Sequence, residues 1–514
     1  MTRENQANQP NGQSQAAGER KLIEDRLAKT VEIRSRGLDP YPPRFNRTHT
    51  SVEAVALFQS LEEGGTESDH SDSHSVRVAG RVMARRGQGK ASFIDVRDGH
   101  GSIQIFARQN TMGDESYAIL DLLDIGDIIG IEGVVIRTRR GEISVEAKTI
   151  TLLTKAIRPL PDKWHGLQDQ EVRFRQRYLD LISNEKAMQN ALLRTKIVRS
   201  MRDFMHARGF IEVETPILVP VAAGAQATPF ATHHNQLNRD LYLRIATELY
   251  LKKLIVGGIE RVFEIGRLFR NEGLDHDHNP EFTTIESYQA YADYNDVMCM
   301  VEEMIAQIAQ DTTGSMILPA ISEKRPEINL TPPWPRLDLR SEIMKRTGID
   351  FVETRDIESL SKAMQECGIH VEPGSDWGRL LDKVISSEVE PNLIQPHFLI
   401  DYPVEMSPLA KRKPGSSDIV ERFEAFVMGT ELANAFTELN DPVDQRERFE
   451  QQERLREEFD NDEADRLDED FLIAIEHGMP PTGGLGLGID RLTMLVAGEE
   501  SIREILLFPA MRNI

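Results

Sequence analysis

The segment RVFEIGRLFRNEG–LDHDHNP–EFTTIESYQAY, residues 261–291, constrains the chain most. Two strand-like runs flank a polar loop, so the segment reads as an antiparallel hairpin. Side chains alternate between the faces of a strand. Alternation puts Phe263, Ile265 and Phe269 on one face of the first strand and Arg270 on the other. Phe282, Thr284, Glu286 and Tyr288 share one face of the second. A cation, an aromatic ring, a carboxylate and a phenol therefore converge in one hairpin. The plainer reading of the same residues is an ion-pair ladder on the surface.

From residue 210 onward, strands and helices mix without regular βαβ spacing. That predicts an α+β domain with a large, mostly antiparallel sheet flanked by helices, spanning 171–514. A helical region runs from about 171 to 208, with Leu193, Ile197, Met201 and Phe204 on one face. Residues of about 300–390 look more helical and read as an insertion. A Pro-containing linker, 156–170, precedes this domain. Upstream of it, VRVAGRV (76–82), SFIDVRD (92–98), SIQIFA (102–107), DIIGIEGVVIRT (127–138) and EISVEAKTITLL (142–153) have strand character. Five short strands between Gly-containing turns suggest a small β-barrel such as an OB fold, 62–155, entered through the loop EEGGTESDHSDSHS. Residues 19–61 form an N-terminal helical segment. Within it, 20–36 is an amphipathic basic helix carrying Leu22, Ile23, Leu27 and Ile33, stopped by Gly37 and by Pro40, Pro42 and Pro43. Residues 1–18, rich in Gln, Asn, Ser and Gly, read as a disordered tail.

The net charge is −23, which excludes unselective coating of nucleic acid by the whole surface. A nucleic-acid site has to be a local patch with salt-sensitive binding. Cys299 and Cys367 supply neither a disulfide framework nor a zinc site, which fits a reducing compartment. The first residues lack the apolar core of a secretory signal, and no run is long and apolar enough for a membrane span, so the expected location is cytoplasmic. The common nucleotide motifs fail. Gly89-Lys90 is followed by Ala91, with Ala84 at the first glycine position of a P-loop. Arg491 stands where a dinucleotide fingerprint needs its third glycine, and no acylating G-x-S-x-G occurs. His276 and His278 have H-x-H spacing but sit in an acidic loop with no third ligand in sight.

FRNEG followed by HNPEFT resembles motif 2 of class II aminoacyl-tRNA synthetases, in its lysyl form. ARGFIEVETPIL (207–218) resembles motif 1, and GLGLGIDRL (484–492) resembles motif 3. YLRIATELYLKKLIVGGIERVFEIGR, YQAYADY, DYPVEMSPLAKR, ELANAFTELND and GMPPTGG resemble lysyl-specific strings. On these, residues of roughly 20–514 are identified as a member of the lysyl-tRNA synthetase family. The resemblance implies an OB-fold anticodon-binding domain followed by a class II catalytic domain. It implies activation of L-lysine by ATP with Mg²⁺, transfer of the lysyl group to lysine tRNA, and a homodimer with Pro216 at its interface.

Site roles follow from the same resemblance. Arg270 would contact the α-phosphate and the amino-acid carboxylate. Glu272 would accept from the adenine amino group, and His278 would meet the outer phosphates. Phe282 and Arg491 would stack on the two adenine faces. Glu424 and Glu431 match the magnesium carboxylates, with Glu431 also beside ATP. Glu286, Tyr288 and Glu438 would hold the ε-ammonium of lysine, Glu248 and the Gly224 backbone its α-amino group, with Asn434 and Phe436 beside them. Arg85, Arg86, Phe93, Gln104 and Glu142 match positions that read a U-rich anticodon, although Phe93 alone would more often be a core strand residue. The loop VAAGAQATPF (221–230) departs from the family, with Ala223 and Thr228 where most lysyl relatives have glycine and arginine. Two alternatives stand beside this reading: a lysyl-type ligase acting on a translation factor, which would usually lack the barrel, and an inactive tRNA-binding paralogue.

Overall fold

The computed structural model describes residues 11–63, 75–161, 167, 169–225, 227–459 and 467–512. The chain forms two compact units, Met1–Gly166 and Leu167–Ile514.

The first unit begins with helices α1 (Asn11–Ser35) and α2 (Ser51–Glu63). Five strands follow: β1 (Ser75–Gln88), β2 (Ala91–Arg97), β3 (Ser102–Arg108), β4 (Ile128–Arg137) and β5 (Ile143–Thr154). They close into a barrel in the order β1-β2-β3-β5-β4, with β3 and β5 parallel and the other pairs antiparallel. Val78, Ile94, Ile105, Ile131 and Val145 fill the barrel, and Ala54 and Phe58 of α2 join the same core. A buried ammonium needs partners on every side. Lys155, which follows β5, donates to Asp127 Oδ2 (2.7 Å) and to the Leu122 carbonyl (2.8 Å), tying the end of β5 to the segment before β4.

The helix expected to start after a tail at residue 18 begins at Asn11, and residues 1–10 lie outside the described residues. Extending an existing helix by a turn is cheap once it is nucleated, and Ala16, Ala17 and Glu19 favour it. The basic helix is a packed element. Arg26 donates to the carbonyls of Ala156, Arg158 and Ile125, and Lys29 pairs with Asp124. Of its apolar residues Ile33 is buried, whereas Leu22 and Leu27 are exposed. Most of the loop expected over 62–75, and residues 162–166 of the linker, lie outside the described residues.

In the second unit the helical region is interrupted at Gln176 and Asn184, leaving Gln170–Arg175, Arg177–Ser183 and α3 (Glu185–Ala207). Asn184 caps α3 by accepting from the Lys186 N–H. Next come β6 (Ile211–Glu212), β7 (Leu218–Val219), β8 (Ala231–His234), β9 (Arg239–Leu243), α4 (Glu248–Val256), β10 (Arg261–Phe269), β11 (Glu281–Ala290) and α5 (Tyr294–Thr313). After these lie β12 (Arg336–Asp338), β13 (His397–Ile400), β14 (Arg422–Val427), β15 (Thr430–Thr437), α6 (Pro442–Phe459), α7 (Glu469–Glu476), β16 (Thr482–Gly488) and α8 (Ile489–Ala497). An eight-stranded sheet runs β12-β13-β14-β15-β16-β11-β10-β6, parallel only at its two outer pairs. Helices α3 and α5 contribute Ile197, Met201, Val301 and Ile305 to a core shared with Phe263, Ile285, Phe423, Ala433 and Leu487 of the sheet.

The region of about 300–390 is not wholly an insertion. Helix α5 covers the central sheet, and β12 is its edge strand, paired in parallel with β13. Three residues are too few to show an alternation in sequence. The helices Leu339–Thr347, Ile357–Glu366 and Trp377–Val384 pack a second core around Ile343, Phe351, Leu360 and Leu381, which Leu399 of β13 and Phe426 of β14 join.

Candidate active site

The register of the hairpin explains its two faces. Glu264 lies opposite Glu286, Val262 opposite Tyr288 and Leu268 opposite Phe282. Phe263 and Ile285 point into the helical core, with Ile265 packed against it. Phe282, Thr284, Glu286 and Tyr288 line a cavity of about 450 Å³ on the opposite face. Strand β16 continues the floor with Gly484 opposite Tyr288 and Gly486 opposite Glu286, and β15 adds Asn434 and Phe436. The sequence-predicted residues of the catalytic unit meet in this one cavity: Gly224, Glu248, Arg270, Glu272, His278, Phe282, Glu286, Tyr288, Glu424, Glu431, Asn434, Phe436, Glu438 and Arg491. Pro216 is outside it, exposed between β6 and β7.

One group of these residues is cationic and aromatic. The Arg270 guanidinium lies 5.2 Å from the centre of the Phe282 ring, and its buried Nε has no hydrogen-bond partner. Its backbone N–H donates to the Pro280 carbonyl (2.9 Å), which closes the loop between the strands. Arg491, in the first turn of α8, donates through Nη1 to the carbonyl (3.0 Å) and Oε2 (3.1 Å) of Glu431. Its Nη2 is 3.4 Å from His278 Nε2, while His278 Nδ1 meets Asp275 at 2.9 Å. His276 pairs with Asp277 instead. Thr228 is an anchor, its carbonyl accepting from Asn271 N–H (2.8 Å), and Ala223 is buried against Leu249 and Tyr288.

The other group is acidic and buried. Glu286 is 6% exposed and Glu438 1%. Burial, helped by the nearby Glu248 charge, raises the Glu286 pKa to about 7, against a 3.2 Å hydrogen bond from Thr247 N–H. Burial also pushes Glu438 well up, with Lys252 pulling the other way. The Tyr288 hydroxyl faces Glu286 Oε2 at 3.5 Å and is held protonated by burial and by the surrounding carboxylates. Gly224 has a φ of +91°, which a side chain would strain, and its Cα hydrogen points at Ala246 and Glu248.

Sequence reasoning missed four residues around these groups. Arg422 is half-buried and donates to Glu424 Oε1 (2.6 Å), Asn434 Oδ1 (3.1 Å), Ser407 Oγ (3.0 Å) and the Met406 carbonyl (2.7 Å). It also stacks over Tyr402, whose hydroxyl donates to Glu424 Oε2 (2.8 Å). Glu390 carries a pKa raised to about 7 by burial and by Glu424. Lys252 ion-pairs with Glu248 and Glu438. Alternation along β14 could have singled out Arg422, which shares its face with Glu424.

Among the described residues no group of three or more His, Cys, Asp and Glu side chains surrounds a metal position. Magnesium, however, requires only one or two carboxylates when phosphates supply the rest. Glu424 and Glu431 both line the cavity. Burial and the Glu431 charge raise Glu424 to about 7 even with Arg422 beside it. With Glu390 beside them these carboxylates outnumber Arg422 and Arg491, and that excess of negative charge fits a divalent cation.

In the barrel, Phe93 is outside the core and stacks on Phe106, ring centres 4.6 Å apart. Its neighbours Ile94 and Ile105 take the inner face. Arg86 lies opposite Phe93 in the register and pairs with Asp95. Gln104 donates to Glu142 Oε2 (3.0 Å), and Arg85 donates to the Leu120 carbonyl. Asp95 and Phe106 complete this patch, and strand alternation could have found both.

Residues 169–512 match the family of class II tRNA synthetases (D, K and N), and residues 76–153 match the OB-fold nucleic acid binding domain. The lysine–tRNA ligase of Dehalococcoides mccartyi strain 195 is 51% identical over 492 residues, 96% of this chain and 97% of that protein. The chain belongs to the lysine–tRNA ligase family. The lysine–tRNA ligases of Carboxydothermus hydrogenoformans (50% identical, 96% of this chain and 98% of that protein) and Staphylococcus epidermidis (49%, 95% and 98%) agree. Its class II unit is thus the family's synthetase domain and its barrel the OB fold.

Proposed function

We propose that this chain is a lysine–tRNA ligase that activates L-lysine with ATP and transfers the lysyl group to the 3′ end of lysine tRNA. The observation that carries this reading is the pairing of charges in one cavity. Arg270 offers positive charge beside Phe282 and Arg491 lines the same cavity, while Glu286 and Glu438 are buried farther along the floor. Phe282 and Glu286 are four residues apart on β11, roughly 13 Å at about 3.3 Å per residue. That span accommodates an amino acid whose carboxylate meets the phosphates while its side chain reaches the acids.

In the first step the lysine carboxylate attacks the α-phosphorus of ATP, the bond to the β-phosphate bridging oxygen breaks, and pyrophosphate leaves. The carboxylate is already ionised, so no general base is required and positioning supplies much of the rate. Arg270, whose Nε lacks a partner, is poised to meet the charge that builds on the α-phosphate. Phe282 and Arg491 hold the adenine between them, Glu272 accepts from its amino group, and His278 faces the outer phosphates. Glu424 and Glu431 would hold magnesium, which supplies charge neutralisation for the triphosphate. In the second step a ribose hydroxyl of the tRNA terminus attacks the adenylate carbonyl, and AMP leaves.

Selectivity comes from the acids. Glu286, Tyr288 and Glu438 receive the ε-ammonium, and Glu248 with the Gly224 backbone receives the α-amino group, beside Asn434 and Phe436. A neutral side chain would leave buried charge unpaired. Arg85, Arg86, Phe93, Gln104 and Glu142 bind the anticodon, with unstacked bases lying against Phe93. The chain works as a homodimer through the segment around Pro216, supported by the exposed apolar side chains of Ile211, Ile217 and Leu218. Among the described residues no helix is long and apolar enough to cross a membrane, and we place the reaction in the cytoplasm. ATP–pyrophosphate exchange dependent on L-lysine, followed by charging of lysine tRNA, tests the whole reading; charging of a protein in place of tRNA would refute it.

A further inference from the structure

Behind the acidic wall of the cavity sits a residue that does not line it. Lys252, one turn after Glu248 on α4, is fully buried. Its ammonium ion-pairs with Glu248 and Glu438 and lies 5.4, 5.8 and 6.0 Å from the ring centres of Phe436, Phe471 and Tyr288. These are distances at which a cation gains from aromatic faces. Burial works against its charge, yet Glu248 and Glu438 hold its pKa above the ordinary lysine value. The groups facing it come from α4 (Glu248), from β11 (Tyr288, with Glu286 next to it), from the end of β15 (Phe436, Glu438) and from α7 (Phe471). The acid of α7, Asp470, pairs with Lys253 on the outer side of α4 instead.

We propose that Lys252 is a resident countercation that sets the charge of the amino-acid pocket, and thereby matches it to a substrate with two ammonium groups. This rests on the proposed function above. The three carboxylates Glu248, Glu286 and Glu438 against one ammonium leave two negative charges when all are ionised, the buried Arg244 near Glu286 being matched by Glu264. The two ammonium groups of L-lysine bring two positive charges, its carboxylate lying outside this count at the Arg270 end, and the acidic part of the filled pocket is neutral without a proton on any of its three carboxylates. Oε1 of Glu438 is buried with no hydrogen-bond partner, which leaves an acceptor for the incoming ammonium. Lys252 does not line the pocket and acts on it through Glu248 and Glu438 and the rings of Tyr288 and Phe436, so it is a positioning residue. Without its charge, three carboxylates would share a buried space and retain protons to higher pH, and a protonated carboxyl is a poor partner for an ammonium.

The test is Lys252→Gln in the full chain, which keeps polar contacts and removes the charge, read by lysine-dependent ATP–pyrophosphate exchange across pH. At about pH 7 the KM for lysine should rise about thirtyfold or more, as when one partner of a buried charge pair is lost, with the KM for ATP unchanged. The deficit should shrink as pH rises towards about 9 and the carboxylates ionise. An unchanged lysine KM, or equal rises for lysine and ATP at every pH, overturns the proposal. If the variant does not fold, calorimetry of lysine binding to the unaltered chain in buffers of different ionisation enthalpy decides the matter. Net proton release near pH 7 supports the neutral filled pocket, and proton uptake or no exchange overturns it. Exchange by the unaltered chain is the control. Its absence would refute the proposed function, whereas an active chain insensitive to Lys252→Gln refutes only the role of Lys252.

Discussion

Gly484 faces Glu438 so closely that a Cβ on the glycine would stand 1.7 Å from Glu438 Oε1 and 2.7 Å from Tyr288 Cε1. The missing side chain is what lets a fully buried carboxylate stand over the sheet beside the phenol. Gly484→Ala is expected to displace Glu438 and Tyr288, at the roughly 1–3 kcal/mol typical of overpacking. The measurement is the KM for lysine in exchange, which should rise while the KM for ATP stays within error.

Glu286 makes the pocket sensitive to pH. Its carboxyl, raised to about 7, is partly protonated in the neutral range and must ionise to pair with the ε-ammonium. The lysine KM should therefore fall as pH rises from about 6 to about 8. Stability without substrate should run the other way. A raised folded-state pKa favours the folded chain below the unfolded value, near 4.5, and that contribution is lost as pH rises through about 7. Glu286→Gln should consequently stabilise the substrate-free chain at about pH 8, by up to about 3 kcal/mol, while abolishing lysine-dependent exchange. Thermal unfolding at two pH values checks it.

Arg270 carries the phosphate end. Arg270→Ala removes the cation nearest Phe282, and kcat for exchange should fall about 10²–10³-fold, the usual cost of losing one transition-state donor. Arg270→Lys should recover only part of this, because a point charge does not replace a planar fork. Single-turnover adenylate formation separates this loss from weaker ATP binding.

The barrel is predicted to affect only the second half-reaction. Phe93→Ala removes one ring of the Phe93–Phe106 stack. Loss of one base-stacking platform is worth about 1–3 kcal/mol, so the KM for tRNA in charging should rise while ATP–pyrophosphate exchange does not change.

Much of this was legible in the sequence because it is local. The five strand-like runs lie within about a residue or two of β2 to β5 and the first half of β1, since half-buried barrel strands must alternate. The face shared by Phe282, Thr284, Glu286 and Tyr288 follows from the same period of two. What escaped is long-range or looks ordinary. Lys252, four residues after Glu248 on a helix, has the spacing of an exposed surface pair, and only burial by α7 and Glu438 shows otherwise. Arg422 acquires meaning through Tyr402 and Asn434, each brought to it by strand pairing or by a loop. The edge strand β12 is too short to carry a pattern, so a stretch with three helices around it read as an insertion.

The measurement closest to the centre of this account is ATP–pyrophosphate exchange with each of the standard amino acids, for the unaltered chain and for Glu438→Gln. Exchange with L-lysine should stand far above that with every other amino acid, and it should be lost when the Glu438 charge is removed. Exchange driven equally well by a neutral or acidic amino acid, or lysine-dependent exchange that survives Glu438→Gln with an unchanged lysine KM, would contradict this.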